Sequence, residues 1–164
     1  MKFDEPRALS DVAQFHNTFD LPIENEPLVP TKDRCQLRLN LIEEELEELK
    51  EAIARKDVVE IADAFCDLQY VLSGAILEFG LGPKFKVLFE EVQRSNMSKV
   101  CRSMEEAEAT LQHYRDSSGT EGEIRQKGDH FLVYRKEDGK VLKSVNYSAA
   151  DLEAILQISL EFSK

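Results

Sequence analysis

Apolar residues recur at helical spacing along most of the chain, and two consecutive stretches, 37–53 and 58–79, break the usual rule about charge. On a wheel of about 100° per residue, Leu37, Leu41, Ile42, Leu46, Leu49 and Ile53 fill one broad arc. Glu43, Glu47 and Glu51 fall on the opposite side and read as solvated. Glu45 falls inside the apolar arc, between Leu41 and Leu49, while Glu44 and Glu48 lie at its edge. Three glutamates are therefore expected to point inward. In the second stretch Ile61, Phe65, Leu68, Leu72, Ile76 and Phe79 make a tight stripe. Val59, Cys66, Tyr70, Val71 and Leu77 make most of the remaining circumference apolar, leaving one charged strip of Glu60, Asp63, Asp67 and Glu78. A helix apolar nearly all round reads as buried, and Cys66 upon it as a small buried hydrophobe.

The flanking pattern completes a mainly helical chain. Ser10 can cap a short helix over 11–19, with Val12, Phe15 and Phe19 on one side. Residues 21–30 hold Pro22, Pro27 and Pro30 and read as an extended connection. Thr31 is placed to cap the first acidic helix, and Arg55-Lys56-Asp57 makes a turn short enough to set the two acidic helices antiparallel. Gly80-Leu81-Gly82-Pro83 stops the second. A fourth helix over 84–96 carries Phe85, Leu88, Phe89 and Val92 on its buried face. Ser103 with Glu106 forms a capping box for a helix to about residue 115, and 116–128 reads as a loop or flexible arm. Two apolar runs, 130–135 and 140–143, flank Asp138-Gly139 and predict a hairpin there. Ser148 is placed to cap a last helix over 149–162. The expected architecture is an all-α antiparallel helical bundle with a small C-terminal β-hairpin. It is read as one domain over 1–164, with its core at 10–100 and a helix, hairpin and last helix over 104–162.

Buried carboxylates are rare unless paired or bound to metal. Glu44, Glu45 and Glu48 facing Glu60, Asp63 and Asp67 have too few nearby cations to neutralise them. A hard divalent ion, Mg²⁺ or Mn²⁺, would do so. An acidic solvated face explains Glu43, Glu47 and Glu51, but not Glu45 and Asp67. A second polar cluster, Arg94-Ser95-Asn96-Met97-Ser98-Lys99, ends the fourth helix and suits phosphate oxygens. Its alternative is ordinary capping of a helix C-terminus by basic residues.

Charge narrows the class. A net charge of −11 leaves no basic patch for a nucleic-acid backbone. No apolar run reaches membrane-spanning length, and the charged start lacks the apolar core of a signal peptide, so a cytoplasmic protein is expected. The three cysteines are too widely spaced for zinc or dithiol chemistry.

The run Leu41-Ile42-Glu43-Glu44-Glu45-Leu46-Glu47-Glu48-Leu49, followed by Glu60-Ile61-Ala62-Asp63, resembles the signature of the all-α nucleoside triphosphate pyrophosphohydrolases. That superfamily includes MazG-like proteins, dimeric dUTPases and phosphoribosyl-ATP pyrophosphohydrolases. Phe15-His16-Asn17-Thr18-Phe19, the segment from Glu90 to Lys99, and Asp138-Gly139-Lys140-Val141-Leu142-Lys143 are similar to the MazG-like branch with dUTPase-like activity. The stretch from about residue 104 to 134 is longer than in compact members.

The resemblance implies Mg²⁺ held by Glu44, Glu45, Glu48 and Asp63, with Glu60 also in the cluster. It implies phosphate contacts from Arg94, Asn96 and Lys99, with Lys143 and Tyr147 as later additions, and His16 and Phe15 near the base. A homodimer or higher homo-oligomer, whose core includes helices from both chains, is also implied. The expected activity is metal-dependent hydrolysis of a nucleoside triphosphate, such as dUTP or a non-standard nucleotide, to monophosphate and pyrophosphate. Two other readings share this scaffold: hydrolysis of phosphoribosyl-ATP, and a non-enzymatic helical module stabilised by metal.

Overall fold

A computed structural model of the chain describes residues 2–157 and divides it into two compact units, Met1–Lys86 and Val87–Lys164. The first unit is built on α1 (Ala8–Thr18), α2 (Lys32–Arg55) and α3 (Val58–Glu78), followed by a single 3₁₀ turn at Gly82–Lys84. Only two residues join α2 to α3. Lys56 takes the left-handed conformation at φ 58°, closing the end of α2 through bonds from its N–H to the Ala52 and Ile53 carbonyls. The carboxylate of Asp57 then accepts the N–H groups of Val59 and Glu60, satisfying two of the unpaired donors that open α3. Thr31 does stand at the start of α2, but its hydroxyl makes no cap bond.

At the other end of this helical hairpin, Glu78 is 1% exposed and its carboxylate accepts from both Arg34 and Arg38, the i and i+4 cations at the start of α2. Pairing the start of α2 with the end of α3 makes the two helices antiparallel, as the short turn requires. Arg38 also donates from Nη2 to Nε2 of His16 at 3.2 Å. Because a guanidinium can only donate, Nε2 must be unprotonated; the proton therefore sits on Nδ1, which donates to the Pro22 carbonyl at 2.8 Å. Arg38 Nε is buried without a partner among the described residues. Gly74 leaves room for this crossing, since a Cβ there would lie 2.7 Å from Arg38 Nη1. Gly80, at φ 66°, lets the 21–30 connection run against the end of α3, where a Cβ would meet the Glu26 carbonyl oxygen at 1.9 Å. That connection is tied down by Glu24 N–H to the Leu77 carbonyl and Leu28 N–H to that of Phe79.

The burial of α3 departs from its apolar circumference. Ser73, Gly74, Ile76, Leu77 and Glu78 are buried, but Val58, Val59, Phe65 and Leu72 are exposed, and so is Cys66, expected in the core. On α2, Leu39, Leu46 and Ile53 are exposed as well. Among the described residues of this unit, α1, α2 and the 21–30 connection pack against α3 without covering it all round.

The second unit contains α4 (Phe85–Met97, beginning two residues before it), α5 (Met104–Ser118), β1 (Gly122–Lys127), β2 (His130–Arg135) and α6 (Leu152–Leu156). Its core is Cys101, Ala107, Val133 and Leu142, flanked by Leu111, Tyr114, Ile124 and Phe131. The expected capping box forms: Ser103 accepts the Glu106 N–H, although Glu106 reaches back to the N–H of Arg102 rather than to that of Ser103. The hairpin is displaced from its predicted place. β1 comes from the stretch read as a flexible arm, pairing antiparallel with β2 across Gly128-Asp129 in the register Gly122↔Arg135. Residues 140–143 contribute only an isolated bridge, Tyr134↔Val141, although Asp138 does tighten its turn by accepting from Arg135 and from Lys140 N–H. The alternating edge Gly122-Glu123-Ile124-Arg125 supplies the longer partner, with Gly128 at φ 60° closing the turn. The last helix is capped by Asp151, not Ser148, and spans only five described residues; its expected extension over 158–162 lies outside them.

Burial alone would raise the Glu78 carboxyl, but the hydrogen bonds and charges of Arg38 and Arg34 carry it below the usual carboxylate range. A carboxyl whose pKa is lower in the folded than in the unfolded chain contributes stability above the unfolded value and loses it as pH falls through the folded one. Glu78→Gln is expected to cost about 3–5 kcal/mol at neutral pH, since it leaves two cations at a buried site with a neutral partner. The deficit should shrink on acidification below about pH 4, read by denaturant titration of both proteins across pH.

Candidate active site

The acidic residues selected by the helical wheel come from the middle of the α2–α3 hairpin, between its two fixed ends. Glu45 is the half-buried member; Glu44, Glu48, Glu60, Asp63 and Asp67 are exposed, so one inward glutamate is found where three were expected. The cause is again that these faces meet water in the single chain. Their charges nonetheless reach Glu45. Partial burial raises the Glu45 carboxyl above its ordinary range, and the charges of Asp67, Glu48, Glu44 and Asp63 push it further the same way. Asp67 leads those four charges, although the motif alone gave it less weight than Asp63. Glu60 is not among them; it sits in the first turn of α3, where its N–H is taken by Asp57.

Like-charged carboxylates gathered on one face, around a member partly withdrawn from water, need a cation or protons to be neutralised. Their oxygens are the donors a hard divalent ion prefers. Among the described residues, no three Asp, Glu, His or Cys side chains converge closely enough to enclose an ion.

His16 is 2% exposed and both ring nitrogens are engaged, by Pro22 and Arg38. The neighbouring aromatic rings are more open. Phe15 lies against Phe19 at 4.5 Å between centroids, the rings tilted by 43°, and meets Tyr70 edge-on at 5.6 Å, and all three are partly exposed.

In the second unit the structure joins two segments some fifty residues apart in sequence. The hydroxyls of Ser95 and Tyr147 are 2.9 Å apart, Ser98 Oγ accepts the Ser148 N–H at 2.9 Å, and Arg94 donates to the Ala149 carbonyl at 2.8 Å. Lys143 Nζ lies 4.4 Å from the centre of the Tyr147 ring. Arg94 is forked onto Glu91 at 2.7 and 2.8 Å, and that bond, with the Asp151 N–H, holds the Glu91 carboxyl down at about 2. Lys99 donates to Asn96 Oδ1 at 2.7 Å. Of the five expected phosphate contacts, Arg94 and Asn96 lie on α4, Lys99 in the turn just past its end, and Lys143 and Tyr147 on the 143–149 segment docked to it. Sequence reasoning did not find the Glu91 partner, although an acid three residues before an arginine on a helix is a recognisable pair. It also missed the Arg34–Arg38–Glu78 cluster, whose signal was two cations at i and i+4 beside the acid that ends the charged strip of α3.

Residues 12–96, more than half of the chain, match the family model for phosphoribosyl-ATP pyrophosphohydrolase. An uncharacterized protein of Acanthamoeba polyphaga mimivirus is 33% identical over 75 residues, which cover 43% of this chain and 30% of that relative. The family match takes in α1 from Val12 onward, the acidic hairpin and all of α4 but its last residue, and stops before the helix and strands that follow. The chain belongs to the phosphoribosyl-ATP pyrophosphohydrolase family, within the MazG-like all-α nucleoside triphosphate pyrophosphohydrolase superfamily.

Proposed function

We propose that this chain hydrolyses a nucleoside triphosphate, such as dUTP or a non-standard nucleotide, to the monophosphate and pyrophosphate with the help of Mg²⁺ or Mn²⁺. The observation that carries the reading is the half-buried Glu45 carboxyl, raised by burial and by four surrounding carboxylates. The set fits a hard cation by donor chemistry, and Glu44, Glu45, Glu48 and Asp63 would hold it, with Asp67 and Glu60 beside them. When bound, the ion supplies neutralisation of phosphate charge and activation of water.

The remaining work falls to the chain's own side chains. Arg94, Lys99 and Lys143 provide the positive charge that a triphosphate needs, and Asn96 and Tyr147 provide uncharged hydrogen bonds. Glu60, at the start of α3, is available to orient the attacking water. Water adds to phosphorus, the α–β anhydride bond breaks, and pyrophosphate leaves. Phe15, Phe19 and Tyr70 offer ring faces for a base, while His16 braces α1 from below through Arg38.

The exposed apolar residues support a homodimer. Leu39, Leu46 and Ile53 on α2 and Val58, Phe65 and Leu72 on α3 each recur at seven-residue spacing. Two such seams on adjacent antiparallel helices suit a second copy of the same hairpin, giving a four-helix core. No single helix among the described residues is long and apolar enough to span a membrane.

Pyrophosphate release should be measured over a panel of deoxy-, ribo- and damaged nucleoside triphosphates together with phosphoribosyl-ATP, with Mg²⁺ and with chelator. Metal-dependent turnover that falls at least about a hundredfold in Glu45→Gln is the expected result. No turnover on any member by the folded, metal-loaded protein would defeat the proposal. In chelator at neutral pH, the same substitution should stabilise the fold by about 0.5 kcal/mol by relieving like-charge repulsion. A carboxyl raised on folding loses its contribution as pH rises, so this gain should fade as pH falls toward the carboxylate range. The chain mass is 18.7 kDa, and light scattering should return a multiple of it that Phe65→Lys reduces to one.

A further inference from the structure

The segment carrying Lys143 and Tyr147 has no regular secondary structure, yet hydrogen bonds hold it at Lys143, Ser144 and Val145. The holder is α5. Glu106, Thr110 and Tyr114 recur at four-residue spacing and make one stripe along that helix. The Tyr114 hydroxyl accepts the Lys143 N–H at 3.2 Å, and Thr110 Oγ1 accepts that of Val145 at 3.1 Å. The Glu106 carboxylate accepts from the Ser144 hydroxyl, from the side chain of Asn146, and from the N–H of Arg102 at 2.9 Å. Thr110 and Ser144 are buried, so these bonds are shielded from exchange with water. Burial alone would raise the Glu106 carboxyl, but the bonds from Ser144, Arg102 and Asn146 carry it below its usual range.

Each donor along 143–146 that faces α5 therefore finds its acceptor on α5. From there Tyr147 reaches the Ser95 hydroxyl, and Ser148 closes onto Ser98. The helix that supplies the stripe lies beyond the part of the chain matched by the family model, which ends at residue 96. We infer that Glu106 is a positioning residue: through Ser144 and Asn146 it fixes the segment that presents Lys143 and Tyr147 to the phosphates of the substrate, with Thr110 and Tyr114 continuing the same splint. The inference rests on the phosphate role given to Lys143 in the proposed function.

The test is calorimetric titration of the full chain with inorganic tripolyphosphate, comparing wild type, Glu106→Ala, Lys143→Ala and the double variant. Each single change is expected to weaken binding about tenfold, and the double variant to lose clearly less than the product of the two, since Tyr147 alone is left for Glu106 to act through. Glu106→Gln, which keeps an acceptor oxygen, should recover part of the loss. Thr110→Val preserves volume and removes one acceptor. It should show a smaller weakening with the same coupling, and it serves if Glu106→Ala does not fold. Additive losses, unchanged affinity in the position 106 and 110 variants, or no binding by wild type would overturn the inference. Turnover separates the two claims: coupled binding without hydrolysis defeats the enzymatic reading alone, and hydrolysis with additive losses defeats only the positioning role.

Discussion

The buried carboxylate of Glu78, held by Arg34 and Arg38, is the contact on which the acidic hairpin depends. A helix pair joined by two residues is fixed at its closed end by the turn, but its open end is free to splay unless something ties it. Apolar packing cannot do this alone, because much of the outward surface of both helices is exposed in the single chain. The ion cluster supplies a directional tie, and His16 extends it to α1 and to the proline-rich connection. Between the Asp57 cap and this cluster, Glu45 is held close enough to four other acids for their repulsion to register on it. A buried ion cluster is seldom worth more than an apolar replacement of equal volume, but it tolerates only one register.

The order and approximate limits of the helices were legible in the sequence because each has a period or a punctuation mark with a physical meaning. Asp57, Ser103 and Gly80 act as their residue types require. Glu45 stood out from the other acids for the same reason: it breaks an apolar arc. What did not follow was burial. The circumference of α3 was read as a statement about its own chain, whereas an apolar surface specifies only that something must cover it. Val58, Phe65 and Leu72 make that difference visible. The hairpin was misplaced because Asp138-Gly139 is a sound turn signal without a second strand long enough to use it; Gly122-Glu123-Ile124-Arg125 offered one with weaker apolar content. Glu78 escaped notice because charge at a helix end is usually solvated, and only the placement of Arg34 and Arg38 makes its burial affordable.

The second unit shows how one element can fix another. Its strands and α5 close a small core around Cys101, Ala107, Val133 and Leu142, and the outer stripe of α5 is spent on the backbone of residues 143–145. A loop that would otherwise sample many conformations is thereby fixed by neighbours that carry no charge toward a ligand, with Glu106 as the exception whose own charge is consumed locally.

The left-handed Lys56 sets the rotational phase of α3 against α2. One residue more or fewer in that two-residue link would turn α3 by about 100° about its axis. Asp63 and Asp67 would leave the side that faces Glu45, and Glu78 would swing away from both arginines in the same movement. This two-residue connection works as a gear with a single permitted tooth.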